Sequence, residues 1–273
     1  TGTNGKTTVT TLIGKILGAD KRRVFTCGNI GNPFCAEVAK MEAGDYVSLE
    51  VSSFQLEAIK AFKPKVSVIL NLSRNHLDRY DSMREYLAAK KRIFFNQDKD
   101  DYLVLNYDDP IIRGLAENAR PKAVYFSKEP GLNPNQSAVL AVGGILGIGK
   151  NLVLGVFKEF KGVEYRLEYV ADINGVQFIN DSKATTVDAA VWALENVSGP
   201  IVLIAGGREK GNDYGLILES LRKKVKKAIL IGEAAGRIKD AFSPIAPVSE
   251  AGSMQEAVEK SQEAAKAGDS VLL

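Results

Sequence analysis

Cysteine, histidine and net charge are all scarce in this chain, and each scarcity removes a class of function. Two cysteines, Cys27 and Cys35, give neither a disulfide framework nor a metal spacing, so a reducing compartment, the cytoplasm, is expected. No apolar run approaches the ~20 residues of a membrane-spanning helix and no signal peptide is visible, so no membrane partner is expected. The net charge is only +3, and the densest basic patch, residues 222–227, reads as a solvated helix end; a nucleic-acid partner is not expected. Internal repeats and low-complexity segments are missing as well. What is present is ordinary for a globular protein: 45% hydrophobic and 25% charged residues over 273 positions, a length that suits two domains.

The chain opens on Thr1-Gly2-Thr3-Asn4-Gly5-Lys6-Thr7-Thr8. Two glycines let backbone N–H groups turn toward an anion. Lys6 supplies a mobile positive charge for phosphates, and the Thr7 hydroxyl can ligate Mg²⁺. The full P-loop pattern wants a further glycine five residues before Gly5. Val9, Leu12, Ile13, Ile16 and Leu17 follow at helical spacing, with Gly18 placed to stop the helix. A glycine loop opening into a helix sets phosphates at the positive end of the helix dipole. Such a loop is normally fed by a buried strand, and none precedes it here, so a fragment of a longer protein is expected.

Short apolar runs alternate with helical patterns through the rest of the chain. Residues 46–51, 66–70, 102–105 and 123–126 read as buried strands, and 84–95 and 136–146 as helices. In the second half 176–179, 201–205, 228–231 and 270–273 are strand-like, with helices such as 186–194 and 254–267 between them. This is βα alternation, hence an α/β fold with a doubly wound parallel sheet in each half. The boundary falls near Gly162, giving domains 1–162 and 163–273.

Several polar groups fall at strand ends, where open α/β sheets bind ligands. Glu50 ends the strand over 46–51: a natural Mg²⁺ ligand beside a P-loop, or a carboxylate paired with a lysine. His76, the one histidine, lies in a polar loop after the next strand; imidazole is a poor ligand for so hard a cation. Lys90 and Lys91 sit on the helix over 84–95. Arg166 lies just past the domain boundary, placed either to reach a phosphate or to pair along an exposed strand. Asn180-Asp181-Ser182-Lys183-Ala184-Thr185 packs acid, amine and hydroxyls at a strand's carboxyl end, and Ser182 or Thr185 could also cap the next helix. Gly206-Gly207-Arg208-Glu209-Lys210-Gly211 presents two cations in a flexible setting suited to an anionic substrate.

Taken together, the opening loop, Asn29-Ile30-Gly31, Leu49-Glu50-Val51-Ser52-Ser53-Phe54-Gln55-Leu56, the His76 loop, Ala88-Ala89-Lys90 and the 180–185 loop resemble the Mur ligase family over essentially the whole chain. The loop over 180–185 and the Ser-Ser-Phe-Gln-Leu stretch resemble its D-glutamate-adding branch. The resemblance implies three domains, of which a P-loop NTPase-like central domain and a smaller Rossmann-like α/β domain are present. It implies an ATP-dependent ligase that joins D-glutamate to UDP-N-acetylmuramoyl-L-alanine through an acyl phosphate, acting as a monomer.

By matching motif positions, Gly2, Thr3, Asn4, Gly5, Lys6, Thr7 and Thr8 would bind ATP phosphates. Thr7 and Glu50 would hold one Mg²⁺, and His76 with a carbamylated Lys90 a second. Asn133 would lie by the adenine, with Asn135 or Gln136 as a further contact. Arg166, Asp181 and Lys183 would close over the nucleotide; Lys6, Glu50, His76, Lys90 and Lys183 would carry catalysis. Thr185 and Lys210 would face D-glutamate, and Asn29 and Ser52 the UDP-linked substrate. The sequence departs from the family where Asn75 replaces an aspartate, where Tyr165 replaces a histidine, and around Asn133. Within the same reading, another Mur ligase or a folylpolyglutamate synthase is the rival enzyme, and a nucleotide-binding module without turnover the rival from another class.

Overall fold

Four apolar residues recurring on one face, Val9, Leu12, Ile16 and Leu17, are all buried, and they build the first helix, α1 (Lys6–Ala19). Gly18 lies inside that helix instead of ending it. The end comes at Lys21, which takes the left-handed φ of 58° while its N–H donates to the Gly18 carbonyl and that of Arg22 to Leu17. These paired bonds satisfy the last carbonyls of the helix. A lysine holds this position because Arg22 anchors the chain just beyond it, donating to Asp20, the Tyr46 hydroxyl and the Leu146 carbonyl.

The computed structural model describes residues 1–73, 79–209 and 211–273, and the chain divides into two compact units, Thr1–Lys161 and Gly162–Leu273. In the first unit β1 (Val24–Gly28) pairs in parallel with β2 (Tyr46–Glu50), and β3 (Val66–Ile69), β4 (Tyr102–Asn106) and β5 (Lys122–Phe126) form a separate parallel sheet in that order. The half therefore holds two sheets where one was expected. A cavity of about 430 Å³ lies between β2 and β3, lined by Val9, Ile13, Leu49, Val66 and Val68 among others.

The helices of this unit are α1, α2 (Phe34–Glu37), α3 (Ser53–Glu57), α4 (Met83–Lys91), α5 (Pro110–Arg113), α6 (Pro134–Ile145) and α7 (Lys150–Glu159). The helix expected over 84–95 is α4 followed by a tighter turn, Arg92–Phe94. One core joins α1, α6 and α7 to β4 through Leu12, Val104, Val139 and Val153; another gathers Leu56, Ile69, Ile93 and Leu105. Leu70 N–H donates to the Thr1 carbonyl and Thr3 N–H to that of Asn71, which sets the glycine loop at the carboxyl end of β3.

The second unit is one six-stranded sheet in the order β10-β9-β8-β11-β7-β6: β6 (Glu168–Ile173), β7 (Val176–Asn180), β8 (Ile201–Gly206), β9 (Val225–Ile231), β10 (Val248–Ala251) and β11 (Ser270–Leu272). All pairs are parallel except β6 with β7. The exception is a hairpin, closed by Asn174 and Gly175 at φ 54° and 77°, the left-handed pair that a two-residue turn requires. Helices α8 (Val187–Asn196), α9 (Leu218–Lys224), α10 (Ala235–Phe242) and α11 (Met254–Ala264) complete the unit. Alternate residues of β8 and β9 serve separate cores, Leu203 and Leu230 in one, Ile204 and Ile229 in the other, so both faces of the sheet are covered. Thr186 caps α8, its hydroxyl accepting from Ala189 N–H, so the alternative part of helix cap for Ser182 or Thr185 falls to their neighbour.

Candidate active site

The glycine loop is shaped by its neighbours. Gly5 takes φ 81°, a conformation that demands glycine, and a Cβ there would lie 2.3 Å from Asn135 Oδ1 of α6, so a larger residue would also displace that side chain. Asn71 pins the other side: its carbonyl oxygen accepts from Asn4 N–H at 2.8 Å and its amide donates to the Asn4 carbonyl at 3.1 Å. The N-cap residue, Gly5, has no side chain to cap α1, and the first N–H groups point out of the helix end. The sequence flags neither Asn71 nor the contact of Asn135 with Gly5, because both come from residues distant along the chain.

Two lysines converge on this loop. Lys6 Nζ donates to the carbonyls of Gly2 and Thr3 at 3.1 and 2.9 Å, and Lys90 Nζ donates to the same Gly2 oxygen at 3.1 Å. Lys90 reaches inward from α4 and is 1% exposed. Burial, and then the nearby Lys6 charge, lower its pKa to about 7. Its ammonium sits over the Tyr86 ring, 4.2 Å from the centroid, and the Tyr86 hydroxyl lies 3.5 Å from Thr3 Oγ1. Tyr86 and Lys90 are four residues apart on one helix, hence on one face. That spacing is the signal that could have picked out Tyr86 once Lys90 was suspected.

Glu50, at the end of β2, is 4% exposed. Thr7 Oγ1 donates to its Oε2 at 2.8 Å and Asn29 Nδ2 to its Oε1 at 3.1 Å. Thr7 and Glu50 are hard oxygen donors side by side in a buried setting, a donor set that fits Mg²⁺, which keeps part of its water shell and needs few protein oxygens. Among the described residues no cluster of three or more His, Cys, Asp or Glu side chains gathers for a metal, here or elsewhere. Asn29, expected at the UDP-linked substrate, is thus also tied to Glu50.

Ser52 and Asn133 are engaged in capping boxes. Ser52 accepts from Gln55 N–H at the start of α3, and Asn133 from Gln136 N–H at the start of α6, each glutamine bonding back. His76 and Lys210 lie outside the described residues.

The second unit holds its own cluster. Asp181, 5% exposed, accepts from Leu167 N–H at 3.1 Å, while its own N–H donates to the Leu273 carbonyl at 2.7 Å. Burial pushes its carboxyl above the usual range, opposed by the Leu167 bond and by the Arg166 charge. Lys183 and Thr185, on the same loop, are exposed. Arg208 is exposed too, while its neighbour Glu209 is paired with Arg237 at 2.6 Å.

Comparisons with known proteins agree with this layout. The Mur ligase middle domain matches residues 1–141, and the Mur ligase, glutamate ligase domain matches residues 165–273. The UDP-N-acetylmuramoylalanine--D-glutamate ligase of Thermoanaerobacter pseudethanolicus is 41% identical over all of this chain and 69% of its own length. The ligase of the same name from Clostridioides difficile is 37% identical over all of this chain and 68% of its own. Among solved structures, MurF ligase from Thermotoga maritima in complex with ADP superposes with a TM-score of 0.78 at 18% identity, covering 99% of this chain and 74% of that one. A pseudomurein peptide ligase type C from Methanothermus fervidus gives 0.77 at 18%, covering 99% and 74%. Those two likenesses are of fold; the sequence matches carry the descent. The chain belongs to the Mur ligase family.

Proposed function

We propose that this chain belongs to an ATP-dependent amide ligase of peptidoglycan synthesis that adds D-glutamate to UDP-N-acetylmuramoyl-L-alanine in the cytoplasm. The observation that carries the reading is the convergence of Lys6 and Lys90 on the Gly2 carbonyl beside the Thr7–Glu50 pair. Two lysine amines at one oxygen, with Lys6 the standing positive charge, next to a buried carboxylate with a hydroxyl partner, make a place for a polyphosphate and its counter-ion. The relatives of matching sequence carry the D-glutamate ligase name.

In that reaction an L-alanine carboxylate oxygen bonds to the γ-phosphorus of ATP as the bond to ADP breaks. The amine of D-glutamate then attacks the acyl carbon, phosphate leaves, and the amine gives up a proton. Residues 2–8 cradle the phosphates through backbone N–H groups, and Lys6 follows the charge as it moves. Mg²⁺, held by Glu50 and Thr7, would neutralise phosphate oxygens. Thr7 donates its proton to Glu50, so its oxygen lone pairs stay available as a ligand, and the Asn29 amide fixes the other carboxylate oxygen. Lys90 is suited to take up CO₂, since its amine is neutral above about pH 7; its carbamate, with His76, would serve a second metal.

Asn133 lies on the adenine side, and Arg166, Asp181 and Lys183 contribute from the second unit. Thr185 and Lys210 face D-glutamate, and Asn29 with Ser52 the UDP-linked substrate.

The acceptor test is direct. Residues 1–273 replace the matching 69% of the T. pseudethanolicus relative, and the chimera is assayed for phosphate release and amide product. Product is expected with D-glutamate, and loss of at least about tenfold in rate with Lys6→Met. Product with L-lysine or meso-diaminopimelate and none with D-glutamate would overturn the assignment.

A further inference from the structure

The turn that carries Arg166 is built from residues that resist its shape. Tyr165 and Leu167 hold φ of 63° and 41°, the left-handed region, and neither is glycine, asparagine or aspartate. A turn so disfavoured persists only where its surroundings hold it. Two of its bonds are local: Arg166 N–H donates to the Val163 carbonyl and Tyr165 N–H to Glu168 Oε2. Two others reach the 180–185 loop: Leu167 N–H donates to Asp181 Oδ1 at 3.1 Å, and Lys183 N–H to the Tyr165 carbonyl at 3.2 Å.

Asp181 is fixed independently of this turn, because its N–H is bonded to Leu273 at the end of β11. Arg166 Nε is buried and has no hydrogen-bond partner among the described residues, so no bond at that nitrogen aims the guanidinium. What the bonds of the turn fix is the backbone from which the Arg166 side chain leaves.

We propose that Asp181 is a positioning residue for Arg166: by holding Leu167 N–H, its carboxylate keeps the 165–167 turn left-handed and so sets the direction of the guanidinium. Arg166, Asp181 and Lys183 then behave as one piece, and a ligand that draws the Asp181 carboxylate away releases the arginine. This holds whatever anion Arg166 meets, and so does not depend on the ligase assignment.

Amide hydrogen exchange on the ligand-free chain tests it. Asp181→Ala is expected to speed exchange at Leu167 and Lys183 by at least about tenfold, while Ile229 and Leu230 in the sheet stay protected. Asp181→Asn keeps an acceptor oxygen and is expected to keep Lys183 protected. Adding Tyr165→Asn to Asp181→Ala is expected to restore Lys183, since asparagine accepts the left-handed region; Tyr165 is 47% exposed, so the core is spared. Unchanged Lys183 exchange in Asp181→Ala, or no recovery on adding Tyr165→Asn, overturns the proposal. Should Asp181→Ala unfold the unit, Tyr165→Asn alone decides: Lys183 exchange slower than in the parent supports the proposal, and no change overturns it.

Discussion

Lys90 is a side chain whose chemistry departs far from its type. A lysine amine is ordinarily protonated far above neutrality, but here burial and the Lys6 charge bring its pKa to about 7. The amine is the form that adds CO₂, so a carbamate carbon signal from ¹³C-labelled bicarbonate is expected to grow as pH rises from about 6 to about 8. It should be missing in Lys90→Ala, whose lost activity added formate or acetate should partly restore; a wild-type spectrum without that signal would remove the role. Linkage gives a second consequence. The unfolded chain keeps the higher lysine pKa, so it binds more protons than the folded chain between the two values, and Lys90 makes stability rise with pH across that window. A buried lysine is legible in sequence only by position, since nothing local separates Lys90 from the exposed Lys91 beside it. The resemblance separated them; the packing of α4 against the glycine loop gives the reason.

Helix ends decide which polar residues have a structural duty besides any chemical one. The resemblance sets Asn133 beside the adenine, and its side chain forms the capping box of α6 with Gln136. That helix also delivers Asn135 onto Gly5. Asn133→Ala is therefore expected to cost about 1 kcal/mol of first-unit stability in urea denaturation, with Asn133→Ser recovering most of it because serine caps as well. Equal stability of the alanine variant and the parent would show that the box carries no weight. At this scale periodicity read well: α1, α4, α6, α8 and α11 all fall where apolar spacing put helices. The misses have local causes. The stop of α1 moved from Gly18 to Lys21 because Arg22 anchors the turn through contacts distant in sequence. β1 is not legible in the sequence because only Cys27 of its five residues is buried, too little alternation to mark a strand.

Each unit has its own buried clusters, Leu12, Leu56 and Leu103 belonging to those of the first and Leu203, Ile229 and Leu230 to those of the second. The apolar pattern made two domains legible. It passed over the antiparallel run of β6, although Asn174-Gly175 between Val170-Ala171-Asp172-Ile173 and Val176-Gln177-Phe178 is itself a two-residue hairpin signal. Separate cores predict separate unfolding. The one tryptophan, Trp192, lies on α8 in the second unit, so its fluorescence follows that unit, whereas far-UV circular dichroism follows both. Leu103 and Leu230 are fully buried, and cutting either to alanine should cost its own unit about 2–5 kcal/mol. Leu230→Ala is expected to move the fluorescence transition to lower urea. Leu103→Ala is expected to leave that midpoint in place and to shift only the remaining part of the dichroism curve. If Leu103→Ala drags the Trp192 transition down by the same amount, the two units fold as one cooperative body, and the division into separately stabilised units fails.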